Sequence, residues 1–290
     1  MHVFRNSCHS GGTPAPAAGG FRCPTYAHHP AIGTHVSSQA TTAALIDAAS
    51  APYWSTDLFA YYRARGKLRG DPAFTGILRE GLLGESERIL DLGCGQGLLA
   101  AWLLAARSRS DARPQNWPSE WAAAPRPKSI RGIEMRRRDI QRARDALGQK
   151  AEFELADITE AEFGMVDAIV MLDVLHYIDY ESQLCVLTRA QAALAPGGVL
   201  LLRVSDAGSG FRFTIGKYID QTVMLTHYHR APRVYCRAAR EWLEVLAAAG
   251  FHCTALPMSA GTPFANIMLI ARPRRIPRAS RPMNDSLIVQ

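Results

Sequence analysis

Several things are scarce or missing in this chain, and each absence removes a class of protein. Cysteine is sparse: six in 290 residues, at 8, 23, 94, 185, 236 and 253, with no Cys-x-x-Cys pair. That pattern predicts reduced thiols and a cytoplasmic location rather than a disulfide framework. No apolar run approaches the ~18 residues of a membrane span. The longest, LLAAWLLAA at 98–106, is about half of that. No apolar segment with a cleavage site opens the chain, so no secretory leader is expected. A Gly-x-x-x-x-Gly-Lys-Ser/Thr motif is missing, which excludes a P-loop. No internal repeat occurs, which excludes a solenoid or propeller.

What is present is a 48% hydrophobic chain, enough for one large core, with a net charge of +7. Basic residues gather in 63–69, in 107–144 and in the tail ARPRRIPRASRP. Such clusters fit either a solvated face or non-specific binding to an anionic polymer. Residues 1–36 are rich in Gly, Pro, Ala, Ser and His without hydrophobic periodicity, and are expected to be disordered. Histidines 2, 9, 28, 29 and 35 stand there beside Cys8 and Cys23, but their spacing fits no zinc pattern, so no metal site is predicted.

From 37 to 84 the pattern is helical, with Pro72 placed to open a helix, and a helical cap is expected. From 85 to 272 strands alternate with helices. ERILDLG, IRGIEM (130–135), AEFELAD, VDAIVMLDV (166–174) and GGVLLLRVS read as strands, with helices at 98–106, RRRDIQRARDALG and ESQLCVLTRAQAALA between them. Near-continuous apolar strands separated by helices predict a parallel sheet covered on both faces. REWLEVLAAAG is a further helix. FHCTALPMS and PFANIMLIARP follow with a short break that allows an antiparallel pair. The expected fold is therefore α/β: a doubly wound, seven-stranded, mostly parallel sheet with an antiparallel last strand and an N-terminal helical cap. Residues 107–128 read as a surface insertion, 211–230 as a lid, and 273–290 as a basic disordered tail.

The first strand ends in ILDLGCGQGLL (89–99). Glycines at the strand end of a doubly wound sheet let the backbone turn tightly against a ligand. The third glycine of a dinucleotide fingerprint is replaced by Leu98, which fills the space a pyrophosphate needs. Asp91, two residues before Gly93, would repel a pyrophosphate but accept hydrogen bonds from an ammonium.

These residues resemble the class I S-adenosyl-L-methionine (SAM)-dependent methyltransferases, whose first motif is an acid-x-Gly-x-Gly-x-Gly turn, here Asp91, Gly93, Gly95 and Gly97. The resemblance runs in order through strand ends over about 85–272. It implies SAM as cofactor, S-adenosyl-L-homocysteine (SAH) as its product, Glu134 with its neighbour Met135 on the ribose, Asp157 and the Ile158 N–H on the adenine, and Leu172 and Asp173 beside the donor. The gap from Asp91 to Glu134 is 43 residues, against about 20 in the family pattern, because of the inserted stretch. Glu120 also falls there, but Glu134 ends a strand and Glu120 does not.

DVLHYIDY follows the fourth strand. His176 is the candidate base, since its ordinary pKa lies near neutrality; alternatively it packs within the loop. Tyr177 is the second catalytic candidate, and Tyr177 and Tyr180 offer either an aromatic wall for a sulfonium or ordinary loop packing. Asp173 turns inward to the donor or caps the strand end. Substrate candidates are Tyr62 and Arg63 of the cap and Phe211 and Tyr218 of the lid; Arg63 or Lys67 could meet a substrate carboxylate. The chain lacks [DNS]-P-P-[YFW] and Pro-Cys, the marks of several nitrogen and cytosine methyltransferases. The expected activity is therefore methyl transfer to a small aromatic or acyl-chain metabolite at oxygen or carbon. The alternatives are an RNA methyltransferase, motivated by 107–144, a non-catalytic SAM-binding protein, and a dehydrogenase. Oligomeric state is not readable from these residues.

Overall fold

The computed structural model describes residues 37–209, 233–259, 261–262 and 265–274. The N-terminal segment 1–36, the expected lid 211–230 with Phe211 and Tyr218, and the tail beyond 274 lie outside the described residues.

Short polar side chains start the first helices. Ser37 accepts from the Ala40 N–H at 3.2 Å and opens α1 (Ser38–Ser50). Asp57 accepts from Phe59 and Ala60 and opens α2 (Leu58–Gly70). Asp71 accepts from Ala73 and, with Pro72 at the first helical position, opens α3 (Pro72–Arg79). Each cap satisfies N–H groups that the helix itself leaves unpaired.

The sheet comprises β1 (Arg88–Leu92), β2 (Ser129–Glu134), β3 (Glu152–Leu155), β4 (Val166–Leu172), β5 (Leu194–Ser205), β6 (Phe251–Pro257) and β7 (Asn266–Pro273). Its order is β3-β2-β1-β4-β5-β7-β6. The first five strands pair in parallel, and β7 runs antiparallel to both β5 and β6. The connecting helices are α4 (Leu98–Ala112), α5 (Arg137–Leu147), α6 (Tyr180–Ala193) and α7 (Ala239–Ala248). None of the described helices is long and apolar enough to cross a membrane.

Alternation along the strands sends side chains to two cores. Ile89, Ala168, Val170 and Leu201 join Tyr53, Leu68, Ile77 and Trp102 on the face covered by the first helices. Leu90, Ile169, Met171 and Leu202 join Leu187, Trp242 and Leu246 on the other. The period of two also puts Asp91 on the same face as Ile89. Strand order reverses between β1 and β4, so their carboxyl ends border the crevice where such sheets bind ligands.

Two boundaries differ from expectation. Helix α4 does not stop at 106 but continues to Ala112, because RSRSDA carries the helix on as an exposed polar turn with an Arg107–Asp111 pair. The rest of the 107–128 insertion folds back on the molecule. Trp117 and Trp121 meet edge to face, Trp121 is buried, and the Ala122 N–H donates to the Arg79 carbonyl at 3.1 Å. Strand β5 begins at Leu194 rather than Gly197, with an irregularity in its pairing between Val166 and Ala168.

Candidate functional site

The turn between β1 and α4 is fixed by bonds from two sides. The Gly93 and Cys94 N–H groups both donate to the Ile133 carbonyl, at 2.8 and 3.1 Å. From the helical side, the Tyr53 hydroxyl donates to the Gln96 carbonyl, and Gln96 Nε2 donates to the Ala60 carbonyl, both at 2.8 Å. Gly93, Gly95 and Gly97 all adopt positive φ. Gly97 has no alternative: a Cβ there would stand 2.8 Å from the Phe153 ring, at φ +80. Over Gly95 the space is open, the nearest atom being an Arg136 nitrogen 3.9 Å from a built Cβ. Leu98 starts α4 and packs partly onto the core. Cys94 lies against Gly132, and burial pushes its thiol well above the ordinary range, so it is an inert filler.

Asp91 is buried, at 4% exposure, and makes no hydrogen bond or ion pair among the described residues. Burial, and then the charge of Glu134, push its carboxyl up to about 7. Glu134 is buried at the end of β2 and is held by the chain itself. Its Oε2 accepts from the Gly95 N–H at 3.1 Å, and its Oε1 accepts from the Arg136 N–H and Nε. An alternating ion series runs on from there: Arg136 to Asp139, Asp139 to Arg142, and Arg142 to Asp57 at the start of α2. Glu120, the competing acid, instead accepts from Ser38 at the start of α1.

A third acid, Asp157, is exposed beyond β3, where it accepts from the Thr159 N–H and hydroxyl; Ile158 beside it is buried. Met135 follows Glu134 and exposes 68% of its surface. Leu172 ends β4 half-buried. Asp173 stands at φ +59, unusual for a residue with a side chain. Its carboxylate is bound by Arg203 of β5, which also binds Asp71, and Lys67 reaches both acids, at 2.9 Å to Asp71 and 3.5 Å to Asp173. Lys67, one of two cap cations that could meet a substrate carboxylate, is paired here with the chain's own acids. Burial would raise Asp71 and Asp173, but Arg203 and then Lys67 outweigh it and hold both carboxyls below the ordinary range.

His176 lies in the turn Leu175–Tyr177 and is buried. Its Nε2 has no hydrogen-bond partner among the described residues, and desolvation lowers its pKa below the ordinary 6.5. The Tyr177 ring packs against it with centroids 4.1 Å apart. Tyr62 and Arg63 are exposed on α2, where Tyr62 packs edge to face on Tyr61.

The arrangement thus joins a glycine turn with an open outer side, a buried carboxyl group without a partner among the described residues, a strand-end acid beside the turn and a buried histidine after β4. A carboxyl group whose pKa is raised by burial and by a neighbouring acid fits an ammonium-bearing ligand. The open backbone over Gly95, with Glu134 next to it, fits a nucleoside. Arg203 escaped the sequence reading, though a lone arginine in the apolar run LLLRVS requires a buried partner. Tyr53 and Gln96 carried no comparable signal.

Fold and turn together define a doubly wound α/β protein whose glycine turn lies at the carboxyl ends of its strands, where such sheets bind ligands. Residues 62–256 match the family model described as a methyltransferase domain, so the chain belongs to that family. A carboxy-S-adenosyl-L-methionine synthase of Chromohalobacter salexigens is 30% identical over 132 residues, which are 44% of this chain and 43% of that protein. The match therefore spans less than half of that relative. In solved structures, an O-methyltransferase family protein from Burkholderia thailandensis is similar at a TM-score of 0.52 and 17% identity, over 82% of this chain and 63% of that one. PigF, solved with SAH, is similar at a TM-score of 0.52 and 19% identity, over 79% and 62%. At these identities the likeness is one of fold.

Proposed function

We propose that this methyltransferase acts on a small aromatic or acyl-chain metabolite, at oxygen or carbon, with His176 as the general base. The observation that carries this reading is the buried His176 with an unpartnered Nε2 in the turn after β4. SAM supplies an already activated methyl group, so the chain's task is alignment and removal of the acceptor's proton. Asp91 would hold the donor's ammonium, and Glu134 its ribose hydroxyls, since two vicinal donors suit one carboxylate. The glycine turn would pass beneath the nucleoside, with Ile158 and Asp157 at the adenine and Met135 along it. Leu172 would border the donor; Asp173 would act through the turn that it begins, its carboxylate being bound to Arg203 and Lys67. Tyr177 would give the sulfonium a ring face. Tyr62 and Arg63 are proposed at the acceptor's entrance.

The RNA reading rested on the basic stretch 107–144. Part of that charge is paired within the chain: Arg107 and Arg126 share Asp111, Lys128 pairs with Glu87, Arg131 with Glu154, and Arg142 with Asp57, while Arg113, Arg137 and Arg138 are exposed. The pairing favours a small acceptor over a phosphate polymer.

The test is His176→Ala, assayed by transfer of label from methyl-tritiated SAM to a metabolite extract and to bulk RNA. Turnover should fall about 10²–10⁴-fold, the range of a positioned base, with SAH affinity within about twofold of wild type. Full activity would remove His176 from this role, and label in RNA alone would establish the RNA alternative.

A further inference from the structure

A second group of side chains meets the His176 turn from the segment before α7. The Tyr235 N–H donates to the His176 carbonyl at 2.8 Å. Gln183, fully buried in α6, joins the same two segments. Its Nε2 donates to the Leu175, Ile178 and Tyr235 carbonyls at 3.1, 3.1 and 2.9 Å, and its Oε1 accepts from Arg237 Nε at 2.8 Å. Tyr180 and Tyr235 pack edge to face, their centroids 5.4 Å apart. The Arg237 guanidinium lies 4.3 Å from the Tyr180 centroid, and that of Arg233 5.4 Å from the Tyr235 centroid.

Among the described residues neither arginine has a counter-ion. Of the acids at the adjoining helix starts, Asp179 holds the Ser182 N–H, Asp206 the Gly208 and Ala239 N–H groups, and Glu241 the Ala238 N–H; Glu181, in the first turn of α6, forms no ion pair with either arginine among the described residues. Among the described residues no ion pair joins an acid to Arg233 or Arg237. Two guanidinium groups set on tyrosine faces, without carboxylates, make a surface that would take a planar anion. The rings offer stacking area, and the guanidinium fork matches a carboxylate.

We infer that Arg233, Arg237, Tyr180 and Tyr235 form the acceptor-recognition rim beside His176, and that the acceptor is a small aromatic carboxylate. Its ring lies against the tyrosines and its carboxylate on the guanidinium groups. This rests on the small-molecule reading of the site given above. An RNA phosphate would meet the same two cations, but the packed tyrosine rings between them favour a planar aromatic acid, and RNA is an outcome of the test below.

The experiment uses the full chain saturated with SAH and measures binding of 3,4-dihydroxybenzoate and its uncharged methyl ester. The acid should bind about tenfold more tightly than the ester, the size of one charge-assisted hydrogen bond. Arg233→Gln, whose side chain holds no hydrogen bond among the described residues, should lower that preference about threefold. The double variant Arg233→Gln/Arg237→Gln should abolish it, with SAH affinity unchanged. If SAH itself does not bind the wild-type chain, the cofactor-site assignment has failed along with the inference. If SAH binds but acid and ester bind alike, or the preference survives in the double variant, the inference is overturned and the methyltransferase reading stands. Displacement of the acid by a short RNA oligonucleotide that depends on both arginines would replace the aromatic acid with RNA.

Discussion

Burial disfavours the charged form of both Asp91 and His176 and shifts their pKa values in opposite directions, so both give signed predictions. A carboxyl raised to about 7 by burial and by Glu134 contributes stability that is complete below the ordinary carboxylate pKa and is lost as pH rises through about 7. An ammonium ligand favours its charged form, so binding SAH should release a proton near neutrality, and affinity should rise with pH between 6 and 8. Calorimetry in buffers of different ionisation enthalpy measures that proton directly. Asp91→Asn should weaken SAH about 10–100-fold, remove the proton release, and leave the free protein more stable than wild type at pH 8. Unchanged SAH affinity would remove Asp91 from the site. His176 titrates in the other sense. Its lowered pKa keeps the imidazole neutral below 6.5, so its stability contribution is present above that value and lost as pH falls through the native pKa. The acid limb of the turnover profile should therefore lie below 6.5 and disappear in His176→Ala.

At the scale of elements, the β1–α4 turn is where sequence and structure agree most closely, because glycine spacing is a local property. Residues 93, 95 and 97 all need the left-handed backbone that the sequence pattern suggests. Strands were legible for a related reason: a strand buried on both faces must be apolar along its whole length, as VDAIVML is. Boundaries were less so, since RSRSDA is polar whether it continues a helix or leaves one. What holds the turn to the N-terminal helices was illegible. Tyr53 and Gln96 stand 43 residues apart, and neither residue type signals a partner at that distance. Gly97→Ala tests the turn. Its Cβ would meet the Phe153 ring, and the residue would sit in a disfavoured backbone region, so a loss of about 2–4 kcal/mol is expected. Tyr53→Phe should cost about 1 kcal/mol and weaken SAH severalfold, because the Gln96 carbonyl loses its donor. Urea melts and SAH titrations check both, and a Gly97→Ala protein of wild-type stability would count against the packing described here.

At the scale of the whole molecule, one buried arginine joins parts that are distant along the chain. Arg203 is 1% exposed in β5, yet it binds Asp71 between α2 and α3 and Asp173 after β4, positions 132 and 30 residues away. The N-terminal helices are thereby bonded to the strand ends that begin the His176 turn, which makes them part of the site's support. Arg203 in its apolar run signals a buried partner, but which partner could not be read, because Lys67 and Asp71 look like ordinary surface charges in a helical segment. The cluster is balanced, two cations against two acids, so removing Arg203 leaves two carboxylates with a single lysine. Arg203→Met should therefore cost about 3–5 kcal/mol in urea unfolding, as breaking a buried pair does. The triple variant with Asp71→Asn and Asp173→Asn should recover much of that loss, since removing all the charges removes the desolvation penalty too. Acid sensitivity separates this from a packing defect. Both carboxyls are held below the ordinary range, so their contribution is present above about 4 and lost as pH falls through their native values. The wild-type protein should accordingly lose stability more steeply on acidification below 4 than the triple variant does. Parallel acid titrations of the two proteins would show instead that the cluster adds nothing beyond the volume it fills.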